Sequence, residues 1–156
     1  MGAAVSHHPS GVGMICLDTN ILLRAFLDDD PVQSAAARNL LSSLTRERPG
    51  FITFVTLTEM YWVMGMRQQI PKSRCLAVLR RLASIPELEF EDGEGFVQAL
   101  ALAEEGADFP DALIHVTAQQ FTAAETVTFD RKAARRLGWR LLDADGSADE
   151  GSTARK

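Results

Sequence analysis

Acidic residues occur at the ends of apolar segments and at the starts of predicted helices in this sequence. Asp18 ends the first apolar run of the chain, and Asp130 directly follows a later β-type run. Glu59 lies about one helical turn after the second apolar run, while Asp108 and Asp111 lie at the start of a predicted apolar helix. Because ligands of open α/β sheets bind outside the carboxyl ends of the strands, we expect these carboxylates to lie together at one edge of a parallel sheet.

Such a group of carboxylates has a defined chemistry. Several anionic groups at close range repel one another, and their pKa values rise unless a cation neutralises them. Hard oxygen ligands with open coordination positions suit Mg²⁺ or Mn²⁺. One or two such ions can activate water and stabilise the leaving oxygen when a phosphodiester bond is hydrolysed. The acids therefore favour a metal-dependent enzyme that cleaves phosphodiester bonds.

An ordinary structural role competes with this interpretation. Short polar side chains at helix starts accept backbone N–H groups, and an acid three residues later completes a capping box. The residues that fit such caps are Asn20, Asp130, Thr56 with Glu59, and Asp108 with Asp111. Capping does not explain why acids also end the strands, so the whole set is more informative than any single member.

Short apolar strands alternate with helices along the chain. Apolar spacing and turn residues predict strands at 14–18, 51–55, 88–90, 126–129 and 139–142, with helices at 21–27, 31–46, 96–105, 108–120 and 130–137 and further helices beginning at Thr56 and Pro71. This alternation predicts an α/β fold in which helices cover both faces of a parallel sheet.

The composition excludes several classes of protein. The chain has 156 residues, a formal net charge of −5 and 46% hydrophobic residues, which is typical of one globular domain. No apolar stretch approaches the roughly 20 residues of a membrane-spanning helix, so a transmembrane protein is excluded. Cys16 and Cys75 lack metal-type spacing and are predicted to be reduced core residues. The acidic balance argues against bulk electrostatic binding of nucleic acid, but not against an enzyme that uses metal ions.

The two ends of the chain differ from its middle. Residues 1–13 are small and polar and lack periodicity, so we predict a flexible N-terminal extension. Residues 145–156 are rich in Gly, Ser and charge, and they are predicted to form a flexible tail. The folded domain is then expected to span residues 14–144.

Four segments, in this order, resemble the motifs of a known family. They are Leu17-Asp18-Thr19-Asn20, Thr56-Leu57-Thr58-Glu59, Asp108-Phe109-Pro110-Asp111-Ala112-Leu113-Ile114 and Thr128-Phe129-Asp130-Arg131. The segments look like the successive motifs of PIN-domain ribonucleases. The chain length and the alternation of elements most resemble the VapC-type toxins of bacterial toxin–antitoxin pairs. The resemblance covers residues 14–142, essentially the whole predicted domain.

The resemblance implies a site and its partners. The catalytic residues, which would hold Mg²⁺ or Mn²⁺, are Asp18, Glu59, Asp111 and Asp130, with Asp108 as an additional acid and with Thr19, Asn20 and Thr128 next to the ligands. The implied fold is a three-layer α/β/α PIN-like domain around a mostly parallel sheet of four to five strands. RNA is the implied substrate, cleaved by metal-activated water. A homodimer, a VapB-type antitoxin that covers the active site and a cytoplasmic location are also expected.

Basic residues cluster near the last acid and have two interpretations. The cluster contains Arg131, Lys132, Arg135, Arg136 and Arg140. Its members could hold RNA phosphates, with Arg131 and Lys132 nearest to the acid. They are also the expected solvated face and favourable C-terminal charges of one helix. His115 lies four residues beyond Asp111 and is predicted to be a packed or surface histidine, since carboxylate sites for Mg²⁺ rarely need imidazole.

Two other functions remain open on the sequence alone. A phosphoacceptor signalling module also places acids at strand ends around Mg²⁺, although such modules usually pair two adjacent acids early and place a lysine after a late strand. Here a single acid, Asp18, is followed by Thr19 and Asn20. A catalytically silent PIN-like binding module is the second alternative, and the presence of all four acids disfavours it.

Overall fold

The computed structural model describes residues 13–143 of the chain. The predicted N-terminal extension, apart from Gly13, and the predicted tail at 145–156 lie outside the described residues. The chain divides into two compact units, of which the first ends at Gly93 and the second begins at Glu94. Within the described range, no helix is both long and apolar enough to cross a bilayer.

Helices and short strands alternate in both units, as the sequence pattern predicts. The elements of the first unit are β1 (Ile15–Cys16), α1 (Thr19–Leu27), α2 (Pro31–Ser43), β2 (Gly50–Ile52), α3 (Phe54–Trp62), a π-helical turn (Val63–Arg67), α4 (Lys72–Ala83) and β3 (Leu88–Phe90). They are followed by α5 (Gly93–Glu104), α6 (Phe109–Gln120), β4 (Val127–Thr128), α7 (Arg131–Leu137) and β5 (Arg140–Leu141). The third strand has the predicted bounds, and the other four are shorter than predicted.

All strand pairings in residues 13–143 are parallel. β2 lies between β1 and β3, with Gly50 paired to Ile15 on one side and to Leu88 on the other. β4 and β5 form a two-stranded ladder of their own. The predicted parallel α/β architecture is confirmed, but its strands pair in ladders of three and two rather than in one ladder of four to five. The pairing is limited because each strand contains only two or three residues.

Each unit has its own apolar core. In the first unit the fully buried side chains include Leu17, Leu22, Ile52, Leu57, Met60, Met64, Leu79 and Leu82. In the second unit the rings of Phe96 and Phe109 meet edge to face, with their centroids 6.1 Å apart. Burial of one such side chain contributes about 1.5–3 kcal/mol to folding. Since Phe109 is the first residue of α6, this packing also fixes the turn that carries Asp108 and Asp111.

The start of α1 differs from its predicted cap. The N-cap is Asp18 rather than Asn20, because the Oδ1 atom of Asp18 accepts the backbone N–H of Thr19 at 2.8 Å. The preceding strand also corrects the prediction that Cys16 lies in the core, since Cys16 is exposed. Successive residues of an extended chain face opposite sides, and here Leu17 faces the core.

The start of α3 corrects a second cap. The helix begins at Phe54 and is capped by Thr53, whose hydroxyl accepts the backbone N–H of Thr56 at 3.1 Å. Thr56 is therefore a buried residue inside the helix, and Glu59 lies in the second turn. The predicted capping box of Thr56 with Glu59 is wrong, so helix capping gives no reason for an acid at position 59.

Gly50 permits close packing at the centre of the three-stranded ladder. A Cβ atom at this position would lie 2.7 Å from a methyl carbon of Leu17 and 2.9 Å from methyl carbons of Leu44 and Leu88. All three leucines are buried. The absence of a side chain at position 50 therefore lets Leu17, the residue before Asp18, pack against β2.

The substitution Gly50→Ala is expected to destabilise the protein by about 1–3 kcal/mol, because the added methyl group overpacks this core. Denaturant unfolding followed by circular dichroism measures the change. Gly65→Ala is the matched control, since nothing outside its own helix lies within 4 Å of a Cβ there and Ala is favoured over Gly in helices. An unchanged free energy of unfolding for Gly50→Ala would contradict the packing described above.

Candidate active site

The carboxylate of Asp130 is held at the start of α7. Its Oδ1 atom accepts the backbone N–H groups of Lys132 and Ala133 at 2.8 and 3.1 Å. The backbone N–H of Asp130 in turn donates to the hydroxyl oxygen of Thr128 at 3.0 Å. Among the described residues, the Oδ2 atom accepts no hydrogen bond. The cap thus fixes the side chain and leaves one oxygen for a ligand.

Asp108 and Asp111 are brought together by the first turn of α6. Asp108 is the N-cap, and its Oδ2 atom accepts the backbone N–H of Asp111 at 3.4 Å. Asp111 itself is half-buried. Burial raises the pKa of the Asp111 carboxyl group, and the charges of Asp108 and Asp130 raise that pKa further. The ionised form of Asp111 is therefore disfavoured both by lost solvation and by like charges.

A small cavity of about 30 Å³ collects these side chains in the second unit. It is lined by Ala107, Asp108, Asp111, Asp130, Lys132, Ala133, Arg136 and Leu137. A space of this size accommodates a water molecule or a species of similar size. All three acids that the sequence pattern singles out in this unit therefore line one cavity.

Asp18 and Glu59 belong to the first unit, and both are exposed. The cap of α1 occupies Oδ1 of Asp18, and it is anchored by Thr19, which is only 2% exposed. The side-chain carboxylate of Glu59, on α3, has neither a hydrogen bond nor an ion pair to any described residue. Its position therefore has no structural explanation comparable to the caps.

The chemistry of the donor set fits a hard divalent cation. In the second unit, Asp108 and Asp130 each use one carboxylate oxygen in a cap, which leaves the second oxygen of each available to a ligand. Carboxylate oxygens are the ligands that Mg²⁺ and Mn²⁺ prefer. Within residues 13–143, no group of three or more His, Cys, Asp or Glu side chains is already spaced to hold a metal ion.

Arg140 and His115, which lie near the acids in sequence, form hydrogen bonds with other residues. The guanidinium of Arg140 donates two hydrogen bonds to the carboxylate of Glu125, both at 2.9 Å. This pairing raises the pKa of Arg140 and lowers that of Glu125. The Nδ1 atom of His115 accepts the indole N–H of Trp139 at 3.0 Å. His115 therefore packs against Trp139, as the prediction of a packed or surface histidine allows, and Arg140 forms an ion pair with Glu125.

Sequence reasoning missed a cleft between α1 and α2. The cleft has a volume of about 660 Å³ and is lined by Asn20, Ile21, Arg24, Gln33, Ala36, Ala37 and Leu40. Arg24 donates to Gln33 and to Asp29, both at 2.8 Å. The four-residue spacing along α2 predicts a buried stripe, but Val32 is 80% exposed. The apolar residues of α2 were therefore the sequence feature that indicated this cleft. Some of them line an open surface and not the core.

Parallel α/β ladders and carboxylates at strand ends and helix starts define a class of protein rather than one activity. Comparison with known families identifies the class, because the family model of the PIN domain matches residues 15–138. The chain therefore belongs to the PIN domain family. No curated protein matches the chain in sequence. PIN domains are generally nucleases that use divalent metal ions, so the chain is related to enzymes that cleave nucleic acid.

The substitution Asp111→Asn tests the electrostatics of the cavity. The pKa of Asp111 is raised in the folded protein from an ordinary value of 3.8, so the folded state loses stability as the pH rises from 3.8 to the raised pKa. Without divalent cations, Asp111→Asn is expected to unfold at a higher temperature than the wild type at pH 7. Below pH 3.8 this advantage should disappear, because the carboxyl group is protonated in both states.

Thermal unfolding in EDTA across this pH range measures the effect. The low-pH comparison serves as the internal control, since it retains the same substitution without the charge difference. A lower melting temperature for Asp111→Asn at neutral pH would show that the carboxylate is stabilised where it lies, and it would contradict the repulsion.

Proposed function

We propose that this protein is an endoribonuclease that depends on Mg²⁺ or Mn²⁺. The catalytic, metal-binding residues of the proposal are Asp18, Glu59, Asp111 and Asp130, with Asp108 as an additional acid. The observation that carries it concerns Asp111, which lines a cavity with two other carboxylates and has its pKa raised by burial and by their charges. A divalent cation would offset that repulsion. Membership of the PIN domain family supports the same activity.

The polar residues next to the acids have positioning roles in this proposal. Thr128 accepts the backbone N–H of Asp130 and so orients that carboxylate. Thr19 donates its backbone N–H to Asp18 and is itself buried. Asn20 follows at the edge of the cleft between α1 and α2. Thr19 and Thr128 orient the neighbouring aspartates without reacting themselves.

The chain and the metal divide the chemistry between them. When bound, the metal would activate water for attack on phosphorus and offset charge on the phosphoryl oxygens. The capped aspartates contribute a fixed position, since one oxygen of each is tied to a helix start. Arg131 and Lys132 directly follow Asp130, and we propose that basic residues of this segment bind RNA near the scissile bond.

Membership of the PIN domain family argues against one alternative function but not against the other. PIN domains are generally nucleases, which favours the nuclease over a phosphoacceptor signalling module. A silent binding module of the same fold would contain the same elements and the same acids. It differs from the nuclease in one measurable property, the cleavage of RNA.

The central test compares two capping aspartates of the first unit. Asp18→Asn is expected to lower Mg²⁺-dependent cleavage of structured RNA by on the order of a hundredfold or more, because a metal ligand worth several kcal/mol is lost. Asp30→Asn is the matched control, since Asp30 caps α2 by accepting the backbone N–H of Gln33 at 3.1 Å. Asn caps about as well as Asp, so both variants should remain folded.

Cleavage is followed on gels with Mg²⁺ and with EDTA, and stability by thermal unfolding. Full activity of Asp18→Asn together with a loss of stability would reduce Asp18 to a cap and refute the assignment. Absence of any cleavage by the wild-type protein would favour the silent binding module. Transfer of a phosphoryl group from an acyl phosphate to an aspartate would favour the phosphoacceptor module.

We further propose that the nuclease is a VapC-type toxin that acts in the cytoplasm, as a homodimer, under control of a VapB-type antitoxin. The chain length and the alternation of strands and helices support this finer assignment. The cleft between α1 and α2 reaches Asn20, two residues after Asp18, and offers room for a segment of a partner. Val55, Trp62 and Met66 are exposed apolar residues, and such surfaces often mark contacts with a second copy or another protein.

Induced expression of the chain alone in a bacterial host is expected to arrest growth. Because RNA cleavage is the proposed cause, Asp18→Asn should restore growth at an equal protein level, while Asp30→Asn should still arrest it. Growth curves with immunoblots provide the measurement. Arrest by Asp18→Asn, or normal growth with an active wild-type nuclease, would contradict the toxin assignment while leaving the nuclease activity intact.

A further inference from the structure

Two basic residues of α7 line the same cavity as the three acids. Lys132 and Arg136 lie four residues apart, and therefore on one face of the helix, and both contribute to the wall of the cavity. Arg131 and Arg135 belong to the same helix, but neither lines the cavity. The helix thus separates its four basic side chains into a pair at the cavity and a pair outside it.

The position of Arg136 is set by the end of α5. Its Nη1 group donates to the backbone oxygen of Glu105 at 3.4 Å. Its guanidinium also lies over Gly106, where a Cβ atom would come within 3.0 Å of Cζ. Gly106 has a φ of +122°, a conformation that residues with side chains rarely adopt. A glycine is therefore needed for both the backbone turn and the close approach of Arg136.

The charges of Lys132 and Arg136 are not used in direct ion pairs. In the described part of the chain, neither residue has a carboxylate oxygen within the 4.0 Å that defines an ion pair. Arg140, by contrast, is paired in bidentate fashion with Glu125. The hydrogen bond to Glu105 uses one of the five N–H donors of the Arg136 guanidinium. Most of its donor capacity is therefore available to a ligand.

We propose that Lys132 and Arg136 together bind the non-bridging oxygens of a nucleic-acid phosphate at the acid cavity. This inference rests on the proposed nuclease function, and among the basic residues of α7 it assigns the phosphate contact to Lys132 and Arg136 rather than to Arg131 and Arg135. A guanidinium presents a planar fork that matches two phosphate oxygens, and an ammonium group adds a compact positive charge. The pair would let a polyanion approach three carboxylates that otherwise repel it.

A purely structural role makes a different prediction. If Lys132 and Arg136 serve only to offset the charge of the acids, their removal should change stability but not the number of phosphates contacted. If general positive charge attracts the RNA, the two pairs of basic residues on α7 should be equivalent. Contact with a phosphate requires the cavity pair to matter more than the outer pair.

The experiment compares two double variants that change the net charge equally. The cavity variant carries Lys132→Gln and Arg136→Gln, and the control carries Arg131→Gln and Arg135→Gln. Fluorescence anisotropy measures binding of a labelled single-stranded RNA of about 20 nucleotides, in EDTA and over a series of salt concentrations. The probe length exceeds the site sizes of about 4–16 nucleotides known for compact single-strand binders.

The cavity variant is expected to lose on the order of tenfold or more in affinity beyond the control, since charge-assisted hydrogen bonds are strong. Its slope of log K against log salt should fall by about 0.7, which corresponds to the loss of one phosphate contact on a single strand. The conservative variant with Lys132→Arg and Arg136→Lys should retain most of the affinity. Equal losses in the cavity variant and the control would overturn the proposal.

Folding and activity are read separately from binding. Circular dichroism establishes whether the cavity variant is folded, and if it is not, the single variant Arg136→Gln is compared with Arg135→Gln in the same assay. Binding in EDTA does not depend on cleavage, so a difference between the two pairs without any cleavage would sustain the phosphate site and reject the nuclease. Cleavage of RNA together with equal losses of affinity in the two double variants would support the nuclease and reject the phosphate site.

Discussion

The hydrogen bond from the backbone of a helix start to an aspartate side chain fixes three of the five acids of the proposed site, Asp18, Asp108 and Asp130. In the described part of the chain, α1, α2, α6 and α7 each begin with a capping aspartate: Asp18, Asp30, Asp108 and Asp130. A cap of this kind is worth about 0.5–2 kcal/mol, so it explains these residues without any function. It also engages only one carboxylate oxygen, as the contacts of Asp130 show. Capping and metal binding are therefore compatible roles of one side chain.

Asp111 distinguishes the site of the second unit from an ordinary cap. The start of a helix favours a negative charge by about 0.3–1 kcal/mol. Burial and the neighbouring charges of Asp108 and Asp130 act in the opposite direction, and the pKa of Asp111 is raised. A protein gains no stability from such an arrangement, and carboxylates with perturbed pKa values are concentrated at functional sites. A divalent cation bound at the cavity would offset the repulsion that remains beside Lys132 and Arg136.

The sequence pattern predicted much of this structure, and its errors have physical causes. The third strand and the acidic caps at Asp108 and Asp130 were predicted, because turn residues and apolar runs are local signals. Thr56 was wrongly predicted as a cap because Thr53 offers the same hydroxyl one turn earlier. The limited strand pairing and the contact of Arg136 with Gly106 depend on tertiary packing. No local pattern encodes which of four basic residues on one helix reaches a cavity.

Because the chain has a net charge of −5, binding of a nucleic acid would depend strongly on the local basic pair Lys132 and Arg136. A nucleic acid is repelled by the chain as a whole, so long-range attraction cannot hold the substrate as it does for strongly basic proteins. Binding then depends on short-range contacts at the few places where positive charge is left without an acidic partner. Lys132 and Arg136 form such a site, and they line one cavity with carboxylates that favour a cation. A site built in this way selects a phosphate that can contact the basic pair and the metal together, rather than the nearest stretch of polyanion.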